Sequence, residues 1–381
     1  MSKGFSYRIL LITGEISGDI YGALVIKAIK ELNPAFQFVT IGGPKIRSLG
    51  VEVLFSAEAL ALVGLPSVSE LKQYFFVYKK IKELLKKRKV DGVILVDFPG
   101  FNLKIAKLAK KLGYPVIYFV APQVWAWHKR RINAIKKYID RLYVILPFEK
   151  DFFQRHDVNA VFLGHPLVDI VKPNISKELL CDIYGFDLKK PFVSFFPGSR
   201  EKEVKRHIPL FVEVFKRLKR ANEHIQGVMV KAPGLGNSVL WETARKELKV
   251  VEGLQYEILK SSDVGVLASG TITLEAAILE TPAVVTYSLP RWMFSLAKRL
   301  VKVPYISLTN LLMNEEVYPE VLGEKQNAEV ITKKVLDLLE SPEKREAVKT
   351  KLKSLKSQLG MPGVMWRVAE DMIHYFTKAS T

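Results

Sequence analysis

Short apolar runs alternate with segments whose apolar residues recur every three to four positions through the first half of the chain. Each run is rich in β-branched residues and ends in a polar turn. This order is typical of strand–helix units that build a parallel sheet. The candidate strands are Tyr7–Thr13, Gln37–Ile41, Gly92–Asp97, Pro115–Val120 and Leu142–Leu146, and helices are predicted over 18–32, 68–89, 102–112, 129–138 and 148–156.

The alternation pauses at Lys172–Ser176, a polar stretch containing a proline, which we interpret as a linker. It restarts with strands at Phe192–Phe196, Gly227–Lys231, Asp263–Ala268 and Ala283–Tyr287, and with helices near 202–221, 238–249, 272–280 and 326–340. The pattern therefore predicts two doubly wound, Rossmann-like α/β domains, residues 1–172 and 173–360. Residues 361–381 begin with a Met-Pro-Gly break and contain a last amphipathic helix, Val364–Thr377.

Length and charge support this division and narrow the partners. A chain of 381 residues is longer than one hydrophobic core usually serves. Its 58 Lys and Arg against 39 Asp and Glu give a formal charge of +19, so nucleic acid, an anionic membrane and phosphorylated substrates all fit. Cys181 is the only cysteine and the start of the chain lacks a secretion-signal pattern, so we expect a cytoplasmic protein.

The first domain carries more of the positive charge. Residues 1–170 hold 26 Lys and Arg and 14 Asp and Glu, and the densest basic stretch, Leu71–Lys89, mixes adjacent aromatic residues with eight cations. On a helix this gives an apolar side rimmed by cations, as in helices that lie on anionic lipid. The alternative is an ordinary surface helix with a solvated basic face.

Candidate chemistry follows the first strand. Gly14–Asp19 lies between that strand and a helix, where α/β proteins bind ligands. Its glycines allow close backbone approach, and the helix N-terminus offers unpaired N–H groups to an anion or hydroxyl. The alternative is that Ser17 or Asp19 only caps the helix.

Asp97 ends the strongly apolar strand Gly92–Val96 and would open onto the ligand crevice of the sheet. Low dielectric there would raise the pKa of an unpaired carboxyl toward the range of a general base. Asp97 is therefore our candidate base. Alternatively, it caps the helix that is predicted to begin near Asn102.

Two tryptophans and a basic cluster follow the next strand. Trp125 and Trp127 precede His128–Arg131, and flat aromatic rings suit sugars or acyl chains while cations suit phosphate. Packing of both rings in the core is the alternative. The Gly-His-Pro turn at His165 closes the domain and either faces the crevice or is purely structural.

An anion site is predicted in the second domain. Gly198, Ser199 and Arg200 lie between its first strand and a long helix, where backbone N–H groups, the helix dipole and a guanidinium act together on a diphosphate. The Glu201-Lys202-Glu203 segment is interpreted as first-turn helix charge. The spacing of a Walker A loop is absent.

A second strand-to-helix turn, Ser269-Gly270-Thr271 with Thr273, adds hydroxyl and N–H groups for phosphate, and Glu275 can accept both hydroxyls of a ribose. A capping box between Thr271 or Ile272 and Glu275 is the competing interpretation. Asn310, Pro319-Glu320 and Gln326 supply further polar groups. The chain has no Asp-x-Asp, His-Glu-x-x-His or Cys-x-x-Cys, so we expect no metal or other cofactor, and the missing Gly-x-Gly-x-x-Gly argues against a nicotinamide enzyme.

Taken in order, these segments resemble the lipid A disaccharide synthase family, inverting glycosyltransferases of Gram-negative outer-membrane biogenesis. The matching segments are Gly14–Asp19, Gly43-Pro44 with Gly50, Asp97–Asn102, Pro122–Trp127, Pro147–Glu149, Gly164–Pro166, Pro197–Arg200, Ser269–Glu275, Ser307–Leu312 and Pro319-Glu320 with Gln326. Asp97 falls on the family's candidate base. Gly100 stands where the family commonly has a second acid.

The resemblance implies two domains of the GT-B type, the first binding the acceptor and facing the membrane, the second binding the UDP-sugar. It implies a reaction of UDP-2,3-diacylglucosamine with 2,3-diacylglucosamine 1-phosphate (lipid X) that gives a β-1,6-linked disaccharide 1-phosphate and UDP, on the cytoplasmic face of the inner membrane. The last helix would pack on the first domain of its own chain or, in a homodimer, of a partner.

The candidate residues then divide by role. Asp97 and Arg200 are assigned to catalysis; Gly198, Ser199, Arg200, Ser269, Gly270, Thr271, Thr273, Glu275, Asn310 and Gln326 to the nucleotide; Glu15, Ser17, Asp19, Asn102, Trp125, Trp127 and His165 to the acceptor. A UDP-N-acetylglucosamine 2-epimerase and the transferase that forms peptidoglycan lipid II are alternatives of the same fold, against which the Trp125–Trp127 and Asp97–Asn102 segments argue. A non-catalytic nucleic-acid-binding protein is disfavoured because no motif for it is recognisable.

Overall fold

The computed structural model describes residues 6–14, 16–57, 68–125, 131–287, 304–323 and 327–379. The chain divides into an N-terminal unit, Met1–Asp169 with Gly360–Thr381, and a C-terminal unit, Ile170–Leu359. The corresponding predicted boundaries were 172/173 and 360/361.

The N-terminal unit is built on a parallel seven-stranded sheet in the order β3-β2-β1-β4-β5-β6-β7. Its strands are β1 (Tyr7–Ile12), β2 (Phe36–Gly42), β3 (Glu52–Ser56), β4 (Gly92–Val96), β5 (Val116–Phe119), β6 (Arg141–Val144) and β7 (Ala160–Phe162). Its helices are α1 (Ile16–Leu32), α2 (Pro44–Arg47), α3 (Val68–Lys86), α4 (Pro99–Lys111), α5 (Arg131–Tyr138), α6 (Pro147–Gln154) and α7 (Leu167–Ile170).

Strand β4 shows why this sheet forms. All five of its residues are buried, as expected for a central parallel strand covered by helices on both faces. The chain runs outward from β1 to β3 and then returns to β4 on the other side of β1, so the strand order reverses between β1 and β4. Open α/β sheets bind ligands at the carboxyl ends of strands that flank such a reversal.

The last helix, α16 (Val364–Ala379), packs on the N-terminal unit of its own chain, against α1. Phe376 fills the space above Gly92, where an added Cβ would lie 2.3 Å from the ring. The Asp169 carboxylate accepts hydrogen bonds from the N–H groups of Gly363 (2.6 Å) and Met365 (2.9 Å) at the start of the helix. An exchange of this helix between protomers stays a prediction.

The C-terminal unit has a second parallel sheet, of six strands in the order β10-β9-β8-β11-β12-β13. The strands are β8 (Phe192–Phe196), β9 (Gln226–Lys231), β10 (Lys249–Glu252), β11 (Val264–Ala268), β12 (Ala283–Tyr287) and β13 (Glu320–Leu322). The helices are α8 (Lys177–Tyr184), α9 (Glu201–Ala221), α10 (Val239–Arg245), α11 (Gln255–Ser261), α12 (Thr271–Ile278), α13 (Leu308–Met313), α14 (Ala328–Glu340) and α15 (Pro342–Gln358).

The structure corrects the prediction at the sheet edges. The predicted helix 238–249 ends at Arg245, and Lys249 begins the edge strand β10 instead. The edge strands β3, β7 and β13, and the short helices α2, α7, α8, α11 and α13, were not predicted, because they are too short to establish a clear period. In the described part of the chain, no helix is both long and apolar enough to cross a bilayer.

Candidate active site

Two predicted loops meet at the reversal of the N-terminal sheet. Strands β1 and β4 pair with Ile12 opposite Leu95, so Gly14 and Asp97 follow neighbouring strands at the same edge. The Phe98 ring lies directly over Gly14, where an added Cβ would be 2.2 Å from the ring. Gly14 therefore makes room for Phe98, whereas the sequence suggested that it lets a ligand approach.

Asp97 lies in a sharp turn. Asp97 and Phe98 both have left-handed backbone angles, with φ of 49° and 50°, before α4 begins at Pro99. Phe98 is the N-cap residue of α4 and makes no capping hydrogen bond through its own side chain, and the helix begins at Pro99 and not near Asn102 as predicted. That Asp97 caps this helix stays an alternative. Asp97 as a whole is half-buried at the carboxyl end of the strand.

Asn102 braces this turn from inside. Its side chain is fully buried, and its amide donates to the carbonyl oxygens of Asp97 (2.7 Å) and Val96 (3.2 Å). The Tyr118 hydroxyl also donates to the Asp97 carbonyl oxygen. Asn102 thus holds the backbone of the candidate base.

Asp19 also points into the protein. It is almost fully buried, and its carboxylate accepts from the N–H groups of Gly43 (2.6 Å), Lys45 (2.8 Å) and Ile46 (3.3 Å). These amides belong to the N-terminal turn of α2, so Asp19 caps α2 and not its own helix, as the capping alternative assumed. The family glycine Gly43 is needed there because a Cβ would lie 2.7 Å from an Asp19 oxygen.

Trp125, after β5, is half-buried and is fixed on two sides. Its indole N–H donates to Glu149 (2.9 Å), and its ring meets Phe148 edge to face at 5.1 Å. Burial raises the pKa of Glu149 to about 7, against the indole and the Leu146 and Ile145 amides, which lower it. Sequence reasoning gave Glu149 no role, although the acid of Pro147-Phe148-Glu149 at the start of a helix was a signal for one.

His165 is enclosed. Its Nδ1 accepts the Leu167 N–H at 3.1 Å, and burial lowers the pKa of the imidazole to about 3, so the ring is neutral. The structural-turn alternative fits this geometry. Ser17 is half-buried in α1, while Glu15, Trp127 and Gln326 lie outside the described residues.

The nucleotide loops predicted in the C-terminal unit are neighbours as well. Strands β8 and β11 flank the reversal of the second sheet, with Phe196 opposite Leu267, so Gly198–Arg200 and Ser269–Thr271 emerge side by side. Gly198 has φ of 115°, a conformation that favours glycine. The turn is pinned from below, because the buried His207 ring contacts the Pro197 carbonyl oxygen through Nδ1 at 2.8 Å.

Arg200 is the N-cap residue of α9, and 72% of its side chain is exposed. It pairs with Glu203 at 3.1 Å, and a Cβ on Gly198 would lie 2.7 Å from a Glu203 oxygen. Glu203 therefore lies beside the proposed anion loop and is more than general helix charge. Its spacing of three residues from Arg200 was the available signal.

The competing interpretation, a capping box at α12 between Thr271 or Ile272 and Glu275, is wrong. The N-cap is Gly270, with no side-chain hydrogen bond from the described residues, and Glu275 lies beyond the third helical position that such a box requires. Thr273 is buried and donates to the Gly270 carbonyl oxygen at 2.9 Å. Burial raises the pKa of Glu275 to about 7.

The segment 306–310 lies against these loops. Ser269 donates to the Ile306 carbonyl oxygen (3.2 Å), and Thr309 donates to that of Thr273 (2.8 Å). Asn310 is fully buried; it bonds to the Val317 and Tyr318 backbone and to the Glu320 carboxylate, which also accepts the Ser307 N–H. Asn310 and Glu320 therefore shape the loop. Among the described residues, no three His, Cys, Asp or Glu side chains are grouped as metal ligands.

The sequence has relatives that match it over almost its whole length. A model of the lipid-A-disaccharide synthetase family matches residues 9–363. A lipid-A-disaccharide synthase of Trichlorobacter lovleyi is 36% identical over 375 residues, 97% of this chain and 97% of that protein. Another, of Coxiella burnetii, is 36% identical over 363 residues, 95% of this chain and 96% of that protein. The chain belongs to the lipid-A-disaccharide synthetase family.

Membership of the lipid-A-disaccharide synthetase family confirms the predicted class of enzyme, a transferase of hexosyl groups that acts in lipid A disaccharide synthesis. The family implies a UDP-sugar and a phosphosugar lipid as its substrates.

Solved structures give the fold. A UDP-GlcNAc 2-epimerase from Neisseria meningitidis, bound to UDP-GlcNAc, matches with a TM-score of 0.68 and 12% identity, over 96% of this chain and 100% of that chain. A glycosyltransferase from Rickettsia africae matches with a TM-score of 0.57 and 14% identity, over 99% of each chain. The predicted fold class, two Rossmann-like units of the GT-B type, is confirmed, and the epimerases are relatives in fold only.

Proposed function

We propose that this member of the lipid-A-disaccharide synthetase family joins UDP-2,3-diacylglucosamine to 2,3-diacylglucosamine 1-phosphate, with the acceptor on the N-terminal unit and the UDP-sugar on the C-terminal unit. The observation that carries this proposal is the position of Asp97: a carboxylate at the strand reversal of the N-terminal sheet, with its backbone braced by Asn102 and Tyr118.

In the proposed step, Asp97 takes the proton of the acceptor 6-hydroxyl as its oxygen attacks the anomeric carbon of the donor. The bond from that carbon to the diphosphate oxygen breaks, the configuration inverts and UDP leaves. A positioned base of this kind contributes roughly 10²–10⁴-fold in rate. The braced turn supplies the required orientation.

The departing diphosphate needs positive charge and N–H donors. We assign these to Arg200 and to the Gly198 and Ser199 amides at the start of α9, which the adjacent Ser269–Thr271 turn extends. Glu275 remains our candidate for the ribose hydroxyls. Because Asp19, Asn102, His165, Thr273 and Asn310 are buried, we now assign them to holding the loops and not to direct contact.

Helix α3 supports a peripheral contact with an anionic membrane on the cytoplasmic side. Phe75 and Phe76 are 64% and 52% exposed beside the cations Lys72, Lys79 and Lys80. Exposed aromatic rings among lysines are the features of an interfacial helix. Tyr74 differs, because it is 6% exposed and packs on Phe101.

The proposed function is tested by incubating the purified protein with both acylated substrates and following the products by mass spectrometry. We expect UDP and a disaccharide 1-phosphate, each dependent on both substrates. Release of UDP without a disaccharide, or conversion of UDP-N-acetylglucosamine to its epimer, would contradict the proposal.

The base is tested by Asp97→Asn. The amide cannot accept the proton at neutral pH, so turnover should fall by roughly 10²–10⁴-fold. UDP affinity, measured by calorimetry, should stay within twofold of the parent value, because Asp97 belongs to the acceptor unit. Near-normal turnover would remove Asp97 from the role of base.

A further inference from the structure

Glu149 is an ionisable side chain that the proposed chemistry does not use. It is 1% exposed at the start of α6, and both of its oxygens are occupied. One accepts the Trp125 indole N–H at 2.9 Å, and the other accepts the N–H groups of Leu146 (3.1 Å) and Ile145 (3.3 Å). The carboxylate therefore ties the loop after β5 to the turn after β6.

Capping of α6 does not explain this arrangement. A capping glutamate needs only the bond to the N-cap N–H, here that of Leu146, and can stay in water. Glu149 is instead buried, which is costly for an acid unless its oxygens are paired. The carboxylate oxygen that does not accept the backbone N–H groups accepts a single hydrogen bond, from the Trp125 indole. Capping of α6 therefore leaves the hydrogen bond from Trp125 to the buried Glu149 carboxylate unexplained.

The location of Trp125 in the sheet suggests why Glu149 forms a hydrogen bond to its indole. Strands β4, β5 and β6 are neighbours, with Val96 opposite Phe119 and Phe119 opposite Tyr143. Asp97, Trp125 and Glu149 follow these three strands in turn, so all three lie at the same edge of the sheet. A tryptophan ring offers a flat apolar wall for a sugar or an acyl chain. Glu149 and Phe148 fix the plane of that wall.

We propose that Glu149 is a positioning residue for the acceptor: it fixes the orientation of the Trp125 indole, and the fixed ring binds the sugar or acyl part of the acylated phosphosugar. This inference rests on the proposed function, because it assumes that the N-terminal unit binds the acceptor. Glu149 itself touches no substrate.

Kinetics of Glu149→Gln, Trp125→Phe and the double variant test the proposal. Loss of one charge-assisted hydrogen bond should raise the KM for the acceptor roughly five- to tenfold in each single variant. The double variant should be no worse than the poorer single variant, since both remove the same contact. The KM for the UDP-sugar should stay within twofold. Asp151→Asn, an exposed acid on the same helix, is the matched control and should change neither constant.

Acceptor binding measured without turnover separates this proposal from the proposed function. The emission of Trp125, taken as the difference between the parent and Trp125→Phe, should change when diacylglucosamine 1-phosphate is added in detergent micelles. Glu149→Gln should weaken that binding by the same five- to tenfold. If the parent binds the acceptor in this way but forms no disaccharide, the proposed function fails and the role of Glu149 stands.

A pH titration provides a further check. In the described part of the chain, the hydrogen-bond partners of the Glu149 carboxyl are the Trp125 indole and two backbone amides. We therefore expect its protonation to alter Trp125 emission near pH 7, and the change should vanish in Glu149→Gln. Equal acceptor affinity in the parent and Glu149→Gln, or additive losses in the double variant, would overturn the proposal. If Glu149→Gln does not fold, an unchanged acceptor affinity in Trp125→Phe overturns it instead.

Discussion

At the scale of single residues, the candidate base Asp97 lies in a strained turn that contacts from neighbouring residues stabilise. Asp97 and Phe98 are consecutive non-glycine residues in the left-handed region, which costs of the order of 1–3 kcal/mol each. The buried Asn102 amide and the Tyr118 hydroxyl both bond to the Asp97 carbonyl oxygen, and Phe98 lies on Gly14. These three contacts fix the conformation of the turn, and a general base requires such a fixed position relative to the proton that it accepts.

Gly14→Ala tests whether the contact between Phe98 and Gly14 fixes the position of Asp97. The new methyl group would meet the Phe98 ring at 2.2 Å, so the ring and the adjoining Asp97 must shift. We expect a loss of about 1–3 kcal/mol in stability and at least a tenfold loss of turnover. Gly18→Ala is the matched control, since its methyl would make only ordinary contacts beyond 3.5 Å. Turnover of Gly14→Ala within twofold of the parent value would show that the packing of Phe98 does not determine the position of Asp97.

Arg200→Ala tests the diphosphate site. Arg200 would stabilise the negative charge that develops on the departing diphosphate. Removing this one hydrogen-bond donor should cost about 2–4 kcal/mol in the transition state, seen as a fall in kcat/KM. Lys202→Ala, an exposed cation two residues on, controls for the general loss of charge. An effect of Arg200→Ala below tenfold, or one equal to that of Lys202→Ala, would place the diphosphate elsewhere.

At the scale of elements, hydrophobic period predicted the central strands and failed at the edges. Strands β8 and β12 were predicted with their observed bounds, because buried parallel strands are continuous apolar runs with sharp ends. The edge strand β10 was missed, and its first residue, Lys249, was assigned to the preceding helix, because its four residues include a lysine and a glutamate and establish no period. The positions of site loops followed from strand ends alone.

The direction of side chains within those loops could not be predicted. Asp19 and Asn310 are polar residues at expected ligand positions, yet each turns inward to satisfy backbone groups of a short helix or turn that the pattern did not reveal. Buried backbone groups must find partners, and a loop side chain serves them as readily as a ligand. Arg200, which has a long, charged side chain, is exposed instead.

Helix α3 provides the prediction at this scale. Replacing Phe75 and Phe76 by Ser should weaken binding to vesicles that contain anionic lipid at least tenfold, measured by co-sedimentation, because two exposed rings no longer enter the interface. The unfolding free energy should change by less than about 1 kcal/mol. Tyr74→Ser, on the buried side of the same helix, should instead destabilise the protein. Unchanged vesicle binding in the double variant would show that α3 is an ordinary surface helix.

At the scale of the whole molecule, the N-terminal unit is assembled from both ends of the sequence. Asp371 on α16 accepts two hydrogen bonds from Arg141 (2.7 and 2.6 Å) and one from the Tyr143 hydroxyl, 230 and 228 residues away. The Arg141–Asp371 pair is about three-quarters buried. The first sheet therefore gains its last stabilising helix only after the whole C-terminal unit has been made.

Asp371→Ala should destabilise the N-terminal unit by about 2–3 kcal/mol, because it leaves the Arg141 guanidinium and the Tyr143 hydroxyl without their shared acceptor. Asp337→Ala is the matched control: that acid pairs with Lys344 on the surface, so its loss should leave the stability nearly unchanged. Denaturant unfolding followed at several protein concentrations measures both effects. If α16 exchanges between protomers, the midpoint of the parent will rise with concentration, whereas a helix bound to its own chain gives a constant midpoint. Equal losses in the two variants would show that the Asp371 contacts do not hold α16 in place.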